Sequence, residues 1–384
     1  MQIRKSYYFQ LKTNASQRTQ LSRFAGSCRM VWNKGLELQK LRLDQQIKPI
    51  SYAEACSELV GWKKQFPFLQ EVHSQPLQQT LKNLDRALKD GLNNEKGFPK
   101  FKKKGRRDSF RYPQGTKLDD DKIYLPKIGW VKFRKSREIE GTVKNVTVSK
   151  NAGKWYISIQ VEMEVPEPIH PKTSMVGIDL GVSKFATLSD GTVFESVNSA
   201  KKLKKQLARQ QRTLSRRIKF SANWKEQKAR IQRMHSRIAN VRNDHLHKVS
   251  SEISKNQAIV ILEDLKVRSM TKSAKGTEEA PGKNVAAKSG LNRSILDQGW
   301  YEFKRQLKYK QEWAGGRVIL VNPRNTSQTC SVCSHTAGEN RRTQAHFECV
   351  SCGHTENADL NAAKNILAAG RAAIACGDIG RNAA

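Results

Sequence analysis

The chain has 384 residues, long enough for two or three domains and a sizeable core. Lys and Arg number 70 against 35 Asp and Glu, giving a net charge of +35 and a pI near 10.1. That much like charge repels itself unless an anionic partner neutralises it, which points to nucleic acid. No stretch approaches the ~18 apolar residues of a membrane span and no apolar signal core opens the chain, so a cytoplasmic protein is expected.

The first strand is expected at residues 7–12, followed by a helix capped by Ser16 with Leu21, Phe24, Cys28, Val31 and Trp32 on one face. Another helix opens after Ser74 and Pro76 and carries Leu77, Leu81, Leu84 and Leu88 as its stripe. The run Gly-Phe-Pro-Lys-Phe-Lys-Lys-Lys-Gly-Arg-Arg at 97–107 then leads to Phe110, Arg111 and Tyr112. Interleaved cations and rings suit a phosphate backbone with stacked bases, which nominates Lys100, Lys102, Lys103, Lys104, Arg106, Arg107 and Arg111 as nucleic-acid contacts. A solvated loop with a few packed rings has the same pattern. From Asn145 the apolar period becomes two: Val146 and Val148, a turn at Asn151-Ala-Gly153, then Trp155, Ile157, Ile159, Val161, Met163 and Val165 on one face. With the first strand and residues 122–133, this hairpin predicts a small β-barrel over residues 1–165, interrupted by helices within 16–95. Pro166-Glu-Pro-Ile-His-Pro171 reads as a linker to a second domain over residues 172–384.

That domain opens with an apolar strand ending in Gly177-Ile-Asp-Leu-Gly181; a second strand at 185–188 turns at Asp190-Gly191 into a third at 192–195. Residues 201–249 read as a helical hairpin, striped by Leu203, Leu207, Leu214 and Ile218 on one arm and by Ile231, Met234, Ile238 and Val241 on the other. Its outer faces are crowded with Lys and Arg, either facing nucleic acid or solubilising; the whole-chain charge favours the former. Residues 258–262 form a buried-type strand running into Glu263, and 268–292, rich in Ser, Lys, Gly and Ala, are expected as a mobile loop. A helix with Leu296, Trp300, Phe303 and Leu307, a strand at 317–321, a cysteine module and an Ala-rich helix from about Asn357 close the chain. This is an α/β class with a mixed sheet, and its strand order is that expected of a ribonuclease H-like fold.

Asp179 and Glu263 end apolar strands, and Asp359 lies in the first turn of the last helix. A carboxylate at a buried strand end costs desolvation energy unless a cation or hydrogen bonds compensate it. Three of them at one sheet edge make an oxygen-rich, negative pocket of the kind Mg²⁺ prefers. Two such ions about 4 Å apart activate a water and stabilise the leaving oxygen of a phosphodiester. Taken singly, an Asp before Gly is a turn former and Glu263 an ordinary strand-end charge beside Asp264; the ordered set carries the reading.

Cys330-Ser-Val-Cys333 and Cys349-Val-Ser-Cys352 have the spacing of a four-thiolate zinc ribbon over residues 326–354, with two knuckles closing a tetrahedral, structural Zn²⁺ site. His335, His346 and His354 read as surface residues, and Cys28, Cys56 and Cys376 as small core residues.

Four motifs now stand in order: Gly-Ile-Asp179-Leu-Gly-Val, Leu-Glu263-Asp-Leu, Thr-Ser-Gln-Thr-Cys330-Ser-Val-Cys333 and Asn-Ala-Asp359-Leu-Asn-Ala-Ala. As a set they resemble the TnpB (OrfB) proteins of bacterial insertion sequences. The resemblance spans nearly the whole chain and includes Phe-Ala-Gly-Ser-Cys-Arg-Met-Val-Trp-Asn at 24–33 and the basic run from Gly97. It implies an RNA-guided DNA endonuclease related to the ancestors of type V CRISPR effectors. A RuvC-like domain would cut with Asp179, Glu263 and Asp359, using Mg²⁺ (or Mn²⁺), two ions, beside one structural Zn²⁺. The wedge-like barrel and its recognition helices would hold a guide RNA from the transposon end and read a short target-adjacent motif. Base pairing would select double-stranded DNA and displace a single strand. The implied setting is the bacterial cytoplasm, on the nucleoid when DNA-bound. Ser334 departs from the family resembled, which usually has Gly after the second cysteine; that bears on knuckle geometry more than on activity. All three carboxylates are present, unlike in the nuclease-dead relatives that act as repressors.

Three other readings stay open. Gly-x-Asp-x-Gly-x-Ser at 177–183 resembles the first phosphate loop of actin- and sugar-kinase-like ATPases, but no second Gly-rich phosphate loop follows. A non-catalytic DNA-binding regulator reading DNA through the ribbon is the second, and a conventional transposase that joins strands with the same carboxylates is the third.

Overall fold

The structure is a computed structural model that describes residues 1–93 and 96–377. Residues 94–95, at the end of the expected helical insertion, and 378–384, at the end of the expected second domain, lie outside the described residues. The chain divides into two compact units, Met1–Val165 and Pro166–Ala384.

In the first unit β1 (Gln2–Lys12) precedes three helices, α1 (Ala15–Asp44), α2 (Tyr52–Gln65) and α3 (Ser74–Leu92). Six strands follow: β2 (Ser109–Tyr112), β3 (Lys117–Asp119), β4 (Lys122–Leu125), β5 (Gly129–Phe133), β6 (Thr142–Asn151) and β7 (Lys154–Glu164). All seven strands pair antiparallel in the order β2-β6-β7-β1-β5-β4-β3. β1 pairs with β7 from Gln2 to Gln10 and with β5 at Leu11 and Lys12, so one strand serves both halves of the sheet. Alternation sets the buried face: Tyr7, Phe9 and Leu11 of β1 and Trp155, Ile157, Ile159 and Val161 of β7 share a core with Leu21, Phe24 and Cys28 of α1. Each such large side chain contributes roughly 1.5–3 kcal/mol by leaving water.

Two helix starts differ from the sequence expectation. The cap of α1 is Asn14, not Ser16: the Asn14 side chain accepts the Gln17 N–H at 2.8 Å and the Gln17 side chain accepts the Asn14 N–H at 3.1 Å. α2, which the apolar pattern did not announce, opens with the same reciprocal box between Ser51 and Glu54.

The second unit begins with β8 (Met175–Leu180), β9 (Lys184–Leu188) and β10 (Val193–Glu195), then a hairpin of α4 (Ser199–Ser215) and α5 (Ala222–Asn256). It continues through β11 (Ile259–Glu263), α6 (Val267–Met270), α7 (Val285–Gln298), α8 (Trp300–Ala314) and β12 (Arg317–Val321). It ends with β13 (His346–Glu348), β14 (Thr355–Asn357) and α9 (Ala358–Ala375). The main sheet has the order β10-β9-β8-β11-β12, with β8, β11 and β12 parallel and β9 antiparallel to both neighbours. Val176, Ile178, Val260 and Leu262 bury one face with Leu246, Val249 and Ile253 of α5 and Phe303 and Leu307 of α8. On the other face Ile261 and Val321 pack against Ile366 of α9.

Residues 285–292, expected within a loop, are the first turns of α7, and Gly276 and Pro281 form a β-bridge. A helix forms there because Val285, Ala286, Ala287 and Lys288 are a helix-permissive run, which the flanking Gly and Ser obscure in composition. Ile218, read as a core position of the first arm, lies past the end of α4 and is 83% exposed. Cys28 is buried and Cys56 half-buried, whereas Cys376, expected in the core, is exposed at the end of α9. Among the described residues no helix is long and apolar enough to cross a membrane.

Candidate active site and zinc centre

β8 and β11 run side by side in parallel register, Leu262 opposite Ile178, so Asp179 and Glu263 emerge at the same end of adjacent strands. Asp359 enters from α9. The helix can lie flat on β8 because residue 177 is glycine; a Cβ there would run into the backbone carbonyl of Ala363 and the amide of Leu367. Gly370 has the same role lower down, against the Ile261 side chain. The first turn of α9 is fixed by Asn357, whose side chain accepts the N–H groups of Asp359 and Leu360 at 3.1 and 3.3 Å.

The charges of Glu263 and Asp359 bear on Asp179. Asp179 is pushed up to about 7, first by burial and then by the charges of Glu263 and Asp359, with Arg341 and the Leu180 N–H opposing. Burial also raises Glu263, against a 2.5 Å hydrogen bond from the Thr326 hydroxyl and the charge of Arg341. The Arg341 Nη2 lies 3.3 Å from Asp359 Oδ1. A cleft of about 410 Å³ adjoins Glu263, walled by Leu180, Leu262, Lys266, Trp300 and Lys304, with Lys304 paired to Asp264 at 2.9 Å. Asp179, buried and facing the charges of Glu263 and Asp359, is a hard oxygen donor that a divalent cation relieves, so the three carboxylates fit such an ion. They are not drawn together as tightly as the thiols: among the described residues the four cysteines are the one group of three or more whose ligand atoms all lie within 4.8 Å of one another.

Those cysteines are Cys330, Cys333, Cys349 and Cys352. The Cys330–Cys352 and Cys333–Cys349 sulfurs are 3.7 and 3.5 Å apart, close to the roughly 3.8 Å edge of a tetrahedron with ~2.3 Å Zn–S bonds. Each of these sulfur pairs spans the two knuckles, and the two knuckles, Cys330–Cys333 and Cys349–Cys352, have the same hydrogen-bond pattern. The Ser334 and Gly353 N–H groups donate to the Cys330 and Cys349 carbonyls, and the Cys330 and Cys349 N–H groups donate to the carbonyls of His335 and His354. Asn340, fully buried, joins the knuckles: its amide donates to the Gln328 and His335 carbonyls and its oxygen accepts the Val350 N–H. With four thiolates no coordination position is left open, so the set suits a structural Zn²⁺. Of the nearby histidines, His335 and His346 are exposed and His354 is half-buried.

Three family models match. OrfB_IS605, described as "Probable transposase", covers residues 158–274; "Cas12f1-like, TNB domain" covers 300–366; and a "Helix-turn-helix domain" of the same transposon family covers 1–48. The chain is 56% identical to the "Putative RNA-guided DNA endonuclease InsQ" of Escherichia coli (strain K12), over 97% of this chain and 94% of the relative. It is 33% identical to a "Putative RNA-guided DNA endonuclease" of Streptomyces pristinaespiralis, over 98% and 92%. The chain belongs to the TnpB (OrfB) family. Its fold is also that of Cas12f1, solved in a complex with guide RNA and target DNA, at a TM-score of 0.55 and 17% identity over 90% of this chain and 81% of that one. In this TnpB-family chain the segment matching the helix-turn-helix model folds as β1 and one uninterrupted helix, α1.

The basic candidates of the family member divide. Lys100, Lys103, Lys104, Arg106 and Arg107 are exposed. The Lys102 ammonium lies 3.8 Å from the Trp32 ring centre, and its backbone N–H and carbonyl both bond to the Asn33 side chain, so that lysine pins the run to α1. Burial lowers its pKa. Arg111 is partly buried on β2, donating to Asn145 at 3.0 Å.

Several positioning residues escaped the sequence reading. Thr326 and Arg341 come from the cysteine module yet touch Glu263 and Asp359. Asn361 and Asn365 of α9 donate to the Thr329 carbonyl, and Asn361 accepts the Ser331 N–H, which ties the helix to the first knuckle. The asparagines at 357, 361 and 365 stand four apart on one face of an Ala-rich helix, a signal that was available.

Proposed function

We propose that this chain is an RNA-guided DNA endonuclease that hydrolyses target DNA beside a short adjacent motif. One observation carries the reading: in a chain of net charge +35, β8, β11 and α9 bring Asp179 to face the carboxylates of Glu263 and Asp359 at one end of the sheet. The names of its relatives over nearly the full length support the same activity. The sheet order β10-β9-β8-β11-β12 supports a ribonuclease H-like, RuvC-like assignment for residues 172–384, with hairpin 201–249, loop 268–292 and ribbon 326–354 as its additions. Residues 1–165 are then the wedge-like barrel with recognition helices within 16–95, and 166–171 the linker. That barrel holds the guide RNA from the transposon end and reads the adjacent motif, the exposed cations of 100–107 meeting phosphate. The setting is the bacterial cytoplasm.

Asp179, Glu263 and Asp359 are the residues to hold two Mg²⁺ (or Mn²⁺) ions, which supply an acidified water and charge stabilisation at the leaving oxygen. The chain's own part is preorganisation. Thr326 fixes the carboxylate of Glu263, Asn357 fixes the turn bearing Asp359, and the zinc ribbon fixes Thr326 and Arg341. The Arg341 guanidinium, 3.3 Å from Asp359 Oδ1, is the cation that would take a phosphate oxygen of the strand being cut.

The test is to express the protein with its native flanking DNA, sequence the copurifying nucleic acid, and assay cleavage of a matched plasmid. A discrete RNA from the element's end and cleavage leaving a 5′-phosphate, lost in excess EDTA, are expected. Full cleavage in EDTA overturns the metal mechanism, and random copurifying fragments overturn guidance. Joining of element ends in place of hydrolysis would favour the strand-transfer activity that the matching family description carries.

A further inference from the structure

The tip of the α4–α5 hairpin carries a feature that neither the fold nor the carboxylates explain. Between Ser215 and Ala222 the chain exposes two large apolar side chains, Ile218 at 83% and Phe220 at 71%, in a polar and cationic turn that also holds Arg216, Arg217 and Lys219. Phe220 has φ +68°, a left-handed conformation that disfavours a bulky residue and that glycine would adopt without strain. The turn is otherwise well built. The Ser221 side chain caps α5 through the Trp224 N–H at 3.1 Å, the Phe220 and Trp224 rings lie 5.5 Å apart, and the Lys228 ammonium sits 4.8 Å over Trp224. A strained, exposed aromatic on an ordered turn, ringed by cations, has the composition of a stacking platform for bases.

We propose that this tip is a wedge on which an unpaired base of the bound RNA stacks. The inference rests on the RNA-guided reading above. RNA, not DNA, is the source for two reasons. A folded RNA offers splayed, unstacked bases, whereas duplex DNA keeps its bases in the stack. The single DNA strand to be cut must lead to Asp179, yet about 33 Å of helix separates Trp224 from Leu246, where α5 first enters the main core beneath the sheet. The tip thus reaches outward, to a part of the nucleic acid remote from the scissile phosphate. The cations attract the backbone and the ring pair takes the base, so the two contributions separate in their response to salt.

The experiment measures RNA affinity of the full chain across a salt series, with its copurified RNA as probe, for wild type, Phe220→Ala, Phe220→Gly and Lys219→Ala. Phe220→Ala is expected to bind about tenfold more weakly at every salt concentration with an unchanged slope of log Kd against log salt. Lys219→Ala is expected to reduce that slope by about one. Phe220→Gly separates stacking from folding: it relieves the left-handed strain, so melting temperature holds or rises while RNA affinity falls. Ultraviolet cross-linking of the wild-type complex should join the tip peptide to one unpaired RNA nucleotide. Unchanged affinity in both Phe220 variants, or a cross-link to DNA alone, overturns the wedge. Wild-type protein that binds no RNA sinks the guided reading itself, a distinct outcome.

Discussion

The second unit holds two clusters of metal-ligand chemistry, and they are assembled by opposite means. The thiol cluster is local. Its four cysteines lie within residues 330–352, and each pair is set by hydrogen bonds inside its own knuckle. The carboxylate cluster is global, because Asp179, Glu263 and Asp359 meet only through the register of β8 with β11 and the seating of α9 on β8. The hydrogen bonds that set the local cluster all lie within residues 328–354. The global one is a readout of the finished fold, so any slip in register or helix seating disperses it. Asn361 and Asn365 join the two, making the local module a jig for one arm of the global one.

The sharpest way to break the comparison is Asp179→Asn. Cleavage should fall by about 10³-fold or more, since the proposed shared metal ligand is lost, while RNA binding is retained. Stability should move the other way. The folded Asp179 carboxyl is pushed up to about 7, above its unfolded value. The folded state therefore holds the extra proton between about 4 and 7, and metal-free wild type loses stability as pH rises through that window. The melting temperature of Asp179→Asn in EDTA should accordingly pull ahead of wild type from pH 4 to 7 and keep a constant lead above it. Mg²⁺ should shrink the lead. A lead independent of pH would mean that the Asp179 carboxyl is not raised in the folded state.

What was legible in the sequence follows the same division. The cysteine spacing reveals its cluster directly, because ligands a few residues apart must share a loop. β7 was legible for a similar reason, since Trp155, Ile157, Ile159 and Val161 alternate without interruption and are all buried. The carboxylates were legible only as strand ends; what aims them was not. Thr326 and Arg341 lie 63 and 18 residues from their partners, and no period or spacing marks a contact made through tertiary packing. The missed cap at Asn14 and the missed α2 have another cause. Their signals are short side-chain-to-backbone pairings, which an apolar stripe count passes over.

Next in size is Cys349→Ser. It opens the Zn²⁺ tetrahedron and frees the knuckle that Asn340 ties to the first, so the segment bearing Arg341 and Asp359 loses its frame. Zinc content should drop to background and cleavage by about 10- to 100-fold, as for loss of supporting contacts around a metal site. Zinc lost with cleavage unchanged would show that α9 alone aims Asp359.

Gly177→Ala tests the global cluster without touching a ligand. The added methyl meets the Ala363 carbonyl and Leu367 amide, backbone atoms that cannot rotate away, so α9 must lift from β8. Overpacking of this kind costs about 1–3 kcal/mol. Cleavage should fall while zinc content stays full, the reverse of a ribbon defect. Loss of zinc together with activity would mean that the helix and ribbon move as one body and that the two clusters are not separately assembled.

The smallest effect is expected at Ser334, where the chain departs from its family. Ser334 and Gly353 occupy the same position of the two knuckles, each donating its N–H to the first cysteine of its pair, with φ of +64° and +72°. Glycine, which has no Cβ, takes that conformation without the crowding that a serine Cβ meets. Ser334→Gly should therefore stabilise the ribbon by about 0.5–1 kcal/mol, offset in part by the greater freedom of glycine in the unfolded chain. The readouts are slower zinc release to a chelator and a melting temperature up by roughly 1–3 °C. An unchanged release rate would mean that thiolate coordination alone sets the knuckle and its backbone conformation adds nothing. The local cluster would then owe its geometry to the metal, as the global cluster owes its own to the sheet.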